Sequence, residues 1–264
     1  MKALIYKAPS LLEYEETKEP IPLAGEALVR VKYVGICGSD MHAFLGHDAR
    51  RPAPLILGHE AAGVIVGGEG GIGRHVTINP LVGCQKCVAC ENGEDNLCPE
   101  RQIISMPPRE GAFGELVTIP IRNIVDVPED FPLEKAALCE PIACGWHAVK
   151  KCRHYLNHRF LGSKALVQGG GAIGVGVALC LKAMGIEDIT LFEPHKARAN
   201  YVRDALSMRV ETEIEKISSG FDMVIDAVGF EASRAEASDK VRSGGIIAHI
   251  GLGSAKGGIV KFIL

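Results

Sequence analysis

The amino-acid sequence predicts an α/β protein in two parts: residues 1–147, made of short β-rich runs, and residues 148–264, a doubly wound parallel sheet. Three observations predict this. The 264 residues are enough for two hydrophobic cores. A hydrophobic fraction of 47% with 31 glycines suits a compact α/β chain with many tight turns. From Ser163 onward the pattern changes, from short runs broken by proline and glycine to a strand, a glycine-rich turn and a helix.

The N-terminal stretch "MKALIYKAPSLLEYEETKEP" has no apolar signal core, and no apolar run approaches membrane-spanning length. A cytoplasmic protein with no membrane partner is expected. The net charge is −3 and no long basic run is present, so a nucleic-acid partner has no electrostatic support. Cytoplasmic thiols stay reduced, and nine cysteines leave one unpaired. Clustered cysteines here favour a metal over disulfides.

Such a cluster lies in "GCQKCVACENGEDNLC", with Cys84, Cys87, Cys90 and Cys98. Thiolates separated by two residues chelate from a tight turn, and the polar "ENGEDNL" is long enough to bring Cys98 back. The bacterial iron–sulfur run places its last cysteine after three residues and before a proline. Pro99 follows Cys98, but seven residues separate Cys98 from Cys90. Four thiolates around one ion, with no open position, make a structural zinc site. The chemistry is expected elsewhere.

Two upstream stretches carry candidates: "GICGSDMH" and "LGHEAAG". Cys37, His59 and Glu60 are three metal-ligand types, each near a glycine. A mixed sulfur, nitrogen and oxygen shell is how catalytic zinc is held. Taken singly, a cysteine such as Cys37 is most often a small buried hydrophobe, and a lone His-Glu pair is commonly surface.

The ordered set "GICGSDMH", "LGHEAAGVI", "GCQKCVACENGEDNLC" and "GAFGELVTIP" resembles the zinc-dependent medium-chain alcohol dehydrogenases, in particular the sorbitol and polyol branch. The likeness covers essentially the whole chain. It implies that residues 1–147 form a GroES-like, partly open β-barrel catalytic domain and residues 148–264 an incomplete Rossmann domain that binds NAD. It implies that Cys37 and His59 bind the catalytic zinc and that Glu60 is a direct or exchangeable ligand. In "ALCEPIACGWHAV" it points to Glu140 as a further ligand, direct or through water, with Cys139 and Cys144 as competitors. It also implies a proton path from Ser39 through the cofactor ribose to His42. Asp40, between them, is expected to organise the turn.

The second part supplies its own evidence for a dinucleotide. "KALVQGGGAIGVGVALCLKAMG" reads as a buried strand, a glycine turn and a helix ending at Gly185. Gly169, Gly171 and Gly174, with Ala172 and Ile173 between them, would bring backbone against a pyrophosphate at a helix N-terminus. "DITLFEP" is a second strand reaching Glu193, whose carboxylate would accept from ribose hydroxyls and repel a 2′-phosphate, implying NAD. Lys196 and Arg198 in "HKAR" are the groups that would meet such a phosphate instead. "SMRVETEIEKISSG" is a short, charged third strand. "FDMVIDAVG" and "GGIIAHIGLG" are further strands around the helical "EASRAEASDKVRS", and Val228 and Gly229 are placed near the cofactor.

The expected function is NAD-dependent, zinc-assisted oxidation of a secondary alcohol, a polyol, sugar alcohol or small diol, to the ketone, at a site in the cleft between the two parts. The alternatives are an L-threonine 3-dehydrogenase-like enzyme and a non-catalytic zinc- and nucleotide-binding remnant. A homo-oligomer, dimer or tetramer, is implied if the chain is complete. The chain stops at "KGGIVKFIL", ahead of the segments with which relatives finish both domains, so the C-terminal part of the family fold is expected to be missing and sheet edges to be left open.

Overall fold

A computed structural model describes residues 1–253; the closing "KGGIVKFIL" lies outside the described residues. The chain divides into two compact units, Met1–Glu140 and Pro141–Leu264. Residue 147, the boundary expected from sequence, falls inside the helix Cys139–Leu156.

The first unit is antiparallel. Five strands form one sheet in the order Ile124–Asp126, His75–Ile78, Glu60–Gly68, Glu26–Gly35, Leu116–Pro120. In "EALVRVKYVG" the residues Ala27, Val29 and Val31 face the core while Arg30 and Lys32 are more exposed, the period-two pattern of a half-buried strand. The neighbouring Glu60–Gly68 is buried on both faces. Ala61 and Ile65 join the core with Ala27 and Val29, and Ala62 packs against Val127, Ala136 and Ala137. Register slips between Leu28 and Val29, and again between Val31 and Tyr33, mark bulges that bend the pair.

Two shorter ladders position the functional loops. A three-stranded sheet runs Leu11–Glu16, Lys2–Ala8, Leu55–Ile56, and its last strand leads straight into "LGHE". Leu81–Val82 pairs with Gln102–Ile103, which clasps the base of the four-cysteine loop.

In the second unit a parallel sheet has the order Arg209–Glu211, Ile189–Phe192, Ala165–Gln168, Phe221–Asp226, Val241–His249. Both faces are covered, and the alternation shows how. Ala165, Val167, Met223 and Ile225 pack with Val149, Val177, Leu181 and Val202 on one side, from the helices Cys139–Leu156, Ala172–Ala183 and Lys196–Leu206. Leu166 and Val224 pack with Ala237 of Glu231–Lys240 on the other. Strand order therefore reverses between Ala165–Gln168 and Phe221–Asp226, the switch point at which doubly wound sheets take ligands.

Three boundaries differ from the sequence reading. The charged "SMRVETEIEKISSG" yields only the strand Arg209–Glu211, followed by a 3₁₀ turn at Ile214–Lys216. Helix Ala172–Ala183 ends just before Gly185. The stretch "EASRAEASDKVRS" is helical only to Lys240, because Val241 pairs with Phe221 and opens the last strand early.

The alternation carries a direct test. Leu181 is fully buried while Leu179, on the same helix, is 38% exposed. Leu181→Ala should destabilise by about 3 kcal/mol in urea unfolding, and Leu179→Ala by less than about 1 kcal/mol. Equal losses would contradict the assigned face.

Candidate metal centres and dinucleotide site

The strand Glu26–Gly35 gives way to the short helix Gly38–Phe44, with Cys37 as its N-cap. Asp40, in the first turn, bends back so that its Oδ2 accepts from the Cys37 N–H at 3.0 Å. Its Oδ1 accepts from the Gly58 N–H at 3.2 Å. One carboxylate, 2% exposed, thus ties "GICGSDMH" to "LGHEAAG". Gly58 has φ +90°, and a Cβ there would lie 2.5 Å from the Phe113 ring, so only glycine lets the chain turn into His59 at this place.

Glu60 opens its strand directly opposite Gly35, and a side chain on Gly35 would collide with the Glu60 carboxylate. The outcome is a convergent group. Cys37 Sγ, a ring nitrogen of His59 and a carboxylate oxygen of Glu60 lie within 4.8 Å of one another. His59 Nδ1 is buried, stands 3.5 Å from Asp40 Oδ1 and has no hydrogen-bond partner among the described residues.

The electrostatics of this group suit a cation. Burial pushes the Glu60 carboxyl up, against the pull of His59 and a contact with Cys37, and Asp40 adds to the rise. Burial likewise raises Glu140, opposed by His59 and reinforced by Glu60 and Asp40. Burial disfavours a charged His59, yet Asp40 and Cys37 outweigh it and lift the imidazole to about 10. Burial thus disfavours the ionised forms of Glu60 and Glu140, a cost that a divalent ion beside them would offset. The donor set of one sulfur, one nitrogen and one oxygen suits zinc with a position open.

Glu140 shares this field but is not in the convergent group; Cys139 and Cys144 are exposed and outside it as well. Ser39, half-buried, and His42, exposed, both lie on Gly38–Phe44. The His42 ring is 6.4 Å from that of His47, centroid to centroid.

The sulfurs of Cys84, Cys87, Cys90 and Cys98 form a second convergent group, also within 4.8 Å. Cys87 caps the turn Val88–Glu91, and the Cys84 N–H points at Cys98 Sγ at 3.4 Å. A backbone N–H at Lys86 draws Cys84 down to about 7, whereas burial pushes Cys90 up to about 12. Cys84 and Cys90 are thus pushed in opposite directions. A zinc ion fits this set because it holds all four as thiolates.

At the C-terminal end of Ala165–Gln168, Gly169 has φ +94° and Gly171 caps the helix Ala172–Ala183. Gly174, two residues beyond Ala172 and one beyond Ile173, lies so close to the turn that an added Cβ would be 1.8 Å from the Gly169 carbonyl oxygen. Glu193 is 2% exposed. Its Oε1 accepts from the His195 N–H at 2.8 Å, and its Oε2 from the Gly170 N–H and the Arg198 guanidinium, each at 2.9 Å. Burial works against this carboxylate, but Arg198 and the two N–H groups hold it below its ordinary range. Arg198 is therefore the counter-charge of Glu193. Lys196 begins the helix Lys196–Leu206 beside them.

Sequence reasoning passed over Asp226, which shapes the other turn. Fully buried, it accepts from the N–H groups of Val228 at 3.0 Å and Gly229 at 2.9 Å, and its Oδ2 lies 3.1 Å from His249 Nδ1. The available signal was an acid closing the strand "FDMVID" just ahead of a glycine turn.

Residues 23–129 match the alcohol dehydrogenase GroES-like domain. The L-galactonate-5-dehydrogenase of Escherichia coli K12 is 33% identical over 96% of this chain and 76% of its own length. The chain belongs to the zinc-type medium-chain alcohol and polyol dehydrogenase family. This dehydrogenase is also 32% identical to the L-idonate 5-dehydrogenase of Vitis vinifera, over 86% of the chain and 67% of that protein. It is 31% identical to a sorbitol dehydrogenase of Bacillus subtilis, over 96% and 76%. The alcohol dehydrogenase RspB of E. coli CFT073, solved with NADH, superposes with a TM-score of 0.85 at 26% identity, over 97% of this chain and 77% of that one. The GroES-like and Rossmann-type folds expected from the motifs are those of the family. No helix among the described residues is long and apolar enough to cross a membrane.

Glu193 makes a pH prediction. Its folded-state pKa lies below the ordinary 4.5, so its contribution is complete above that value and is lost as pH falls through the folded pKa. Between pH 6 and pH 3 the wild type should lose more unfolding free energy than Glu193→Gln, read by urea titration at each pH. A parallel fall in both proteins would show that the bonds to Arg198 and the backbone carry no such linkage.

Proposed function

We propose that this dehydrogenase oxidises a secondary hydroxyl of a polyol-type substrate, a sugar alcohol or sugar acid, to the ketone, using NAD and zinc. The observation that carries this reading is the convergent group of Cys37, His59 and Glu60, in which burial disfavours the ionised form of the acid. The curated relatives support the substrate class, since galactonate, idonate and sorbitol are all polyhydroxylated.

When bound, zinc would supply Lewis acidity to the substrate hydroxyl and NAD would accept the hydride. Cys37, His59 and Glu60 would hold the ion, and Glu140 would add a carboxylate at its edge. Cys84, Cys87, Cys90 and Cys98 would hold a second, structural ion. Oxidation removes a proton as well as a hydride, and that proton must leave a site shielded from water. The Ser39 hydroxyl accepts it in this reading and passes it towards His42, whose exposed ring delivers it to solvent. Asp40, with both oxygens engaged on backbone N–H groups, keeps Cys37 and His59 in place.

Gly169 to Gly174, with Ala172 and Ile173, would seat the pyrophosphate. Glu193 would take the adenosine ribose beside Arg198, and Val228 and Gly229 would border the nicotinamide.

The test is a panel of sorbitol, galactonate, idonate, 2,3-butanediol and L-threonine with NAD, read by absorbance of reduced cofactor. Polyhydroxylated substrates should give the highest kcat/KM. Preference for threonine, or no turnover of any alcohol by zinc-loaded protein, would overturn the assignment. Ser39→Ala should lower alcohol oxidation about 100-fold while sparing NAD binding. His42→Ala should lose less and recover at high pH, where bulk base replaces the end of the path. Equal, pH-independent losses would contradict an ordered path.

A further inference from the structure

Arg51 is 3% exposed, an unusual place for a guanidinium. It lies in "GHDARRPAPLILGHE", outside every motif that named the site. Its Nε donates to the Ser105 carbonyl at 3.0 Å. Its Nη1 donates to the Ser39 carbonyl at 3.0 Å and to Asp48 Oδ2 at 3.1 Å. Asp48 is shared with Arg50, whose side chain donates to both its oxygens. The Arg50 bond therefore draws the Asp48 carboxyl below its ordinary value, with further help from Arg51, so Asp48 stays anionic beside the buried guanidinium.

A buried ion pair is weak evidence of stability, because desolvation offsets the Coulomb attraction and an apolar side chain of similar volume often holds a fold as well. What a guanidinium supplies is geometry, through donors fixed in one plane. Here that plane joins three segments: the helix Gly38–Phe44 at Ser39, the loop at Asp48 and the turn at Ser105. The helix has only seven residues, too few to hold its own shape in water. Asp40 anchors it at Cys37, and Arg51 anchors it at Ser39.

We infer that Arg51 is a positioning residue for proton removal, holding the Ser39 backbone so that its hydroxyl stays in register with Cys37. The inference rests on the proposed role of Ser39 in the proton path. A displacement of about 1 Å in a reacting group costs up to about 100-fold in rate, so a fork that fixes one carbonyl is enough to matter.

The experiment is a double-mutant cycle on the zinc-loaded, full-length enzyme with Ser39→Ala and Arg51→Met, the second matching volume without donors. Arg51→Met should lower kcat for polyol oxidation about tenfold or more, with zinc content and the Kd for NAD within about twofold of wild type. In the Ser39→Ala background the same replacement should change kcat by less than about twofold, since the group it positions is gone. Should Arg51→Met fail to fold, Arg51→Lys runs the same cycle. A purely structural arginine would give losses that multiply in the double variant, and that result overturns the inference, as does unchanged kcat in the Arg51 variant. If Ser39→Ala alone leaves turnover intact, the proton path itself is wrong, which separates the two failures.

Discussion

The candidate active site depends on one carboxylate. Asp40 accepts hydrogen bonds from the backbone of Cys37 and of Gly58 and faces the His59 ring, so two loops distant in sequence share one buried anion. Each N–H it satisfies would otherwise be a buried donor without a partner, a cost of about 1–3 kcal/mol. Burial raises Glu60 and Glu140, and the same carboxylate adds to that rise. Geometry and charge are thus coupled: the group that ties Cys37 to His59 also adds to the cost of ionising the acids beside them.

The second unit solves a different problem with the same economy of contacts. Its strands are covered on both faces, so the alternation of Ala165, Leu166 and Val167 decides which helices pack where. The crossovers place helices Ala172–Ala183 and Lys196–Leu206 on one face and Glu231–Lys240 on the other. That reversal opens the sheet at Gly169 and Asp226, and acids at or just past strand ends hold the neighbouring turns: Glu193 through Gly170 and His195, Asp226 through Val228 and Gly229.

What the sequence made legible was local. Cysteine spacing found the four-sulfur loop because chelation is a short-range demand, and the glycine spacing found the turn before Ala172–Ala183 because only close backbone approach needs it. Asp40 was read correctly as an organiser of its turn, but not as the link to Gly58, which requires a tertiary contact. Arg51 and the Asp226–His249 pair left no sequence signal of comparable strength, since an arginine or a histidine reads as surface until its partners are known. Glu193 was read as a carboxylate facing ribose hydroxyls, with Arg198 set apart as a group that would meet a phosphate; their pairing was not foreseen. The counter-charge, Arg198, lies in the first turn of the following helix, and only folding shows that the two meet.

The most direct test is elemental analysis of zinc in wild type, Cys37→Ser and Cys90→Ser, each dialysed against the same zinc buffer. Two ions per wild-type chain are predicted and one in each variant, with Cys37→Ser keeping a cooperative unfolding transition. A Cys37→Ser protein that still held two ions would contradict the assignment, because the second ion would then be held without the Cys37 sulfur.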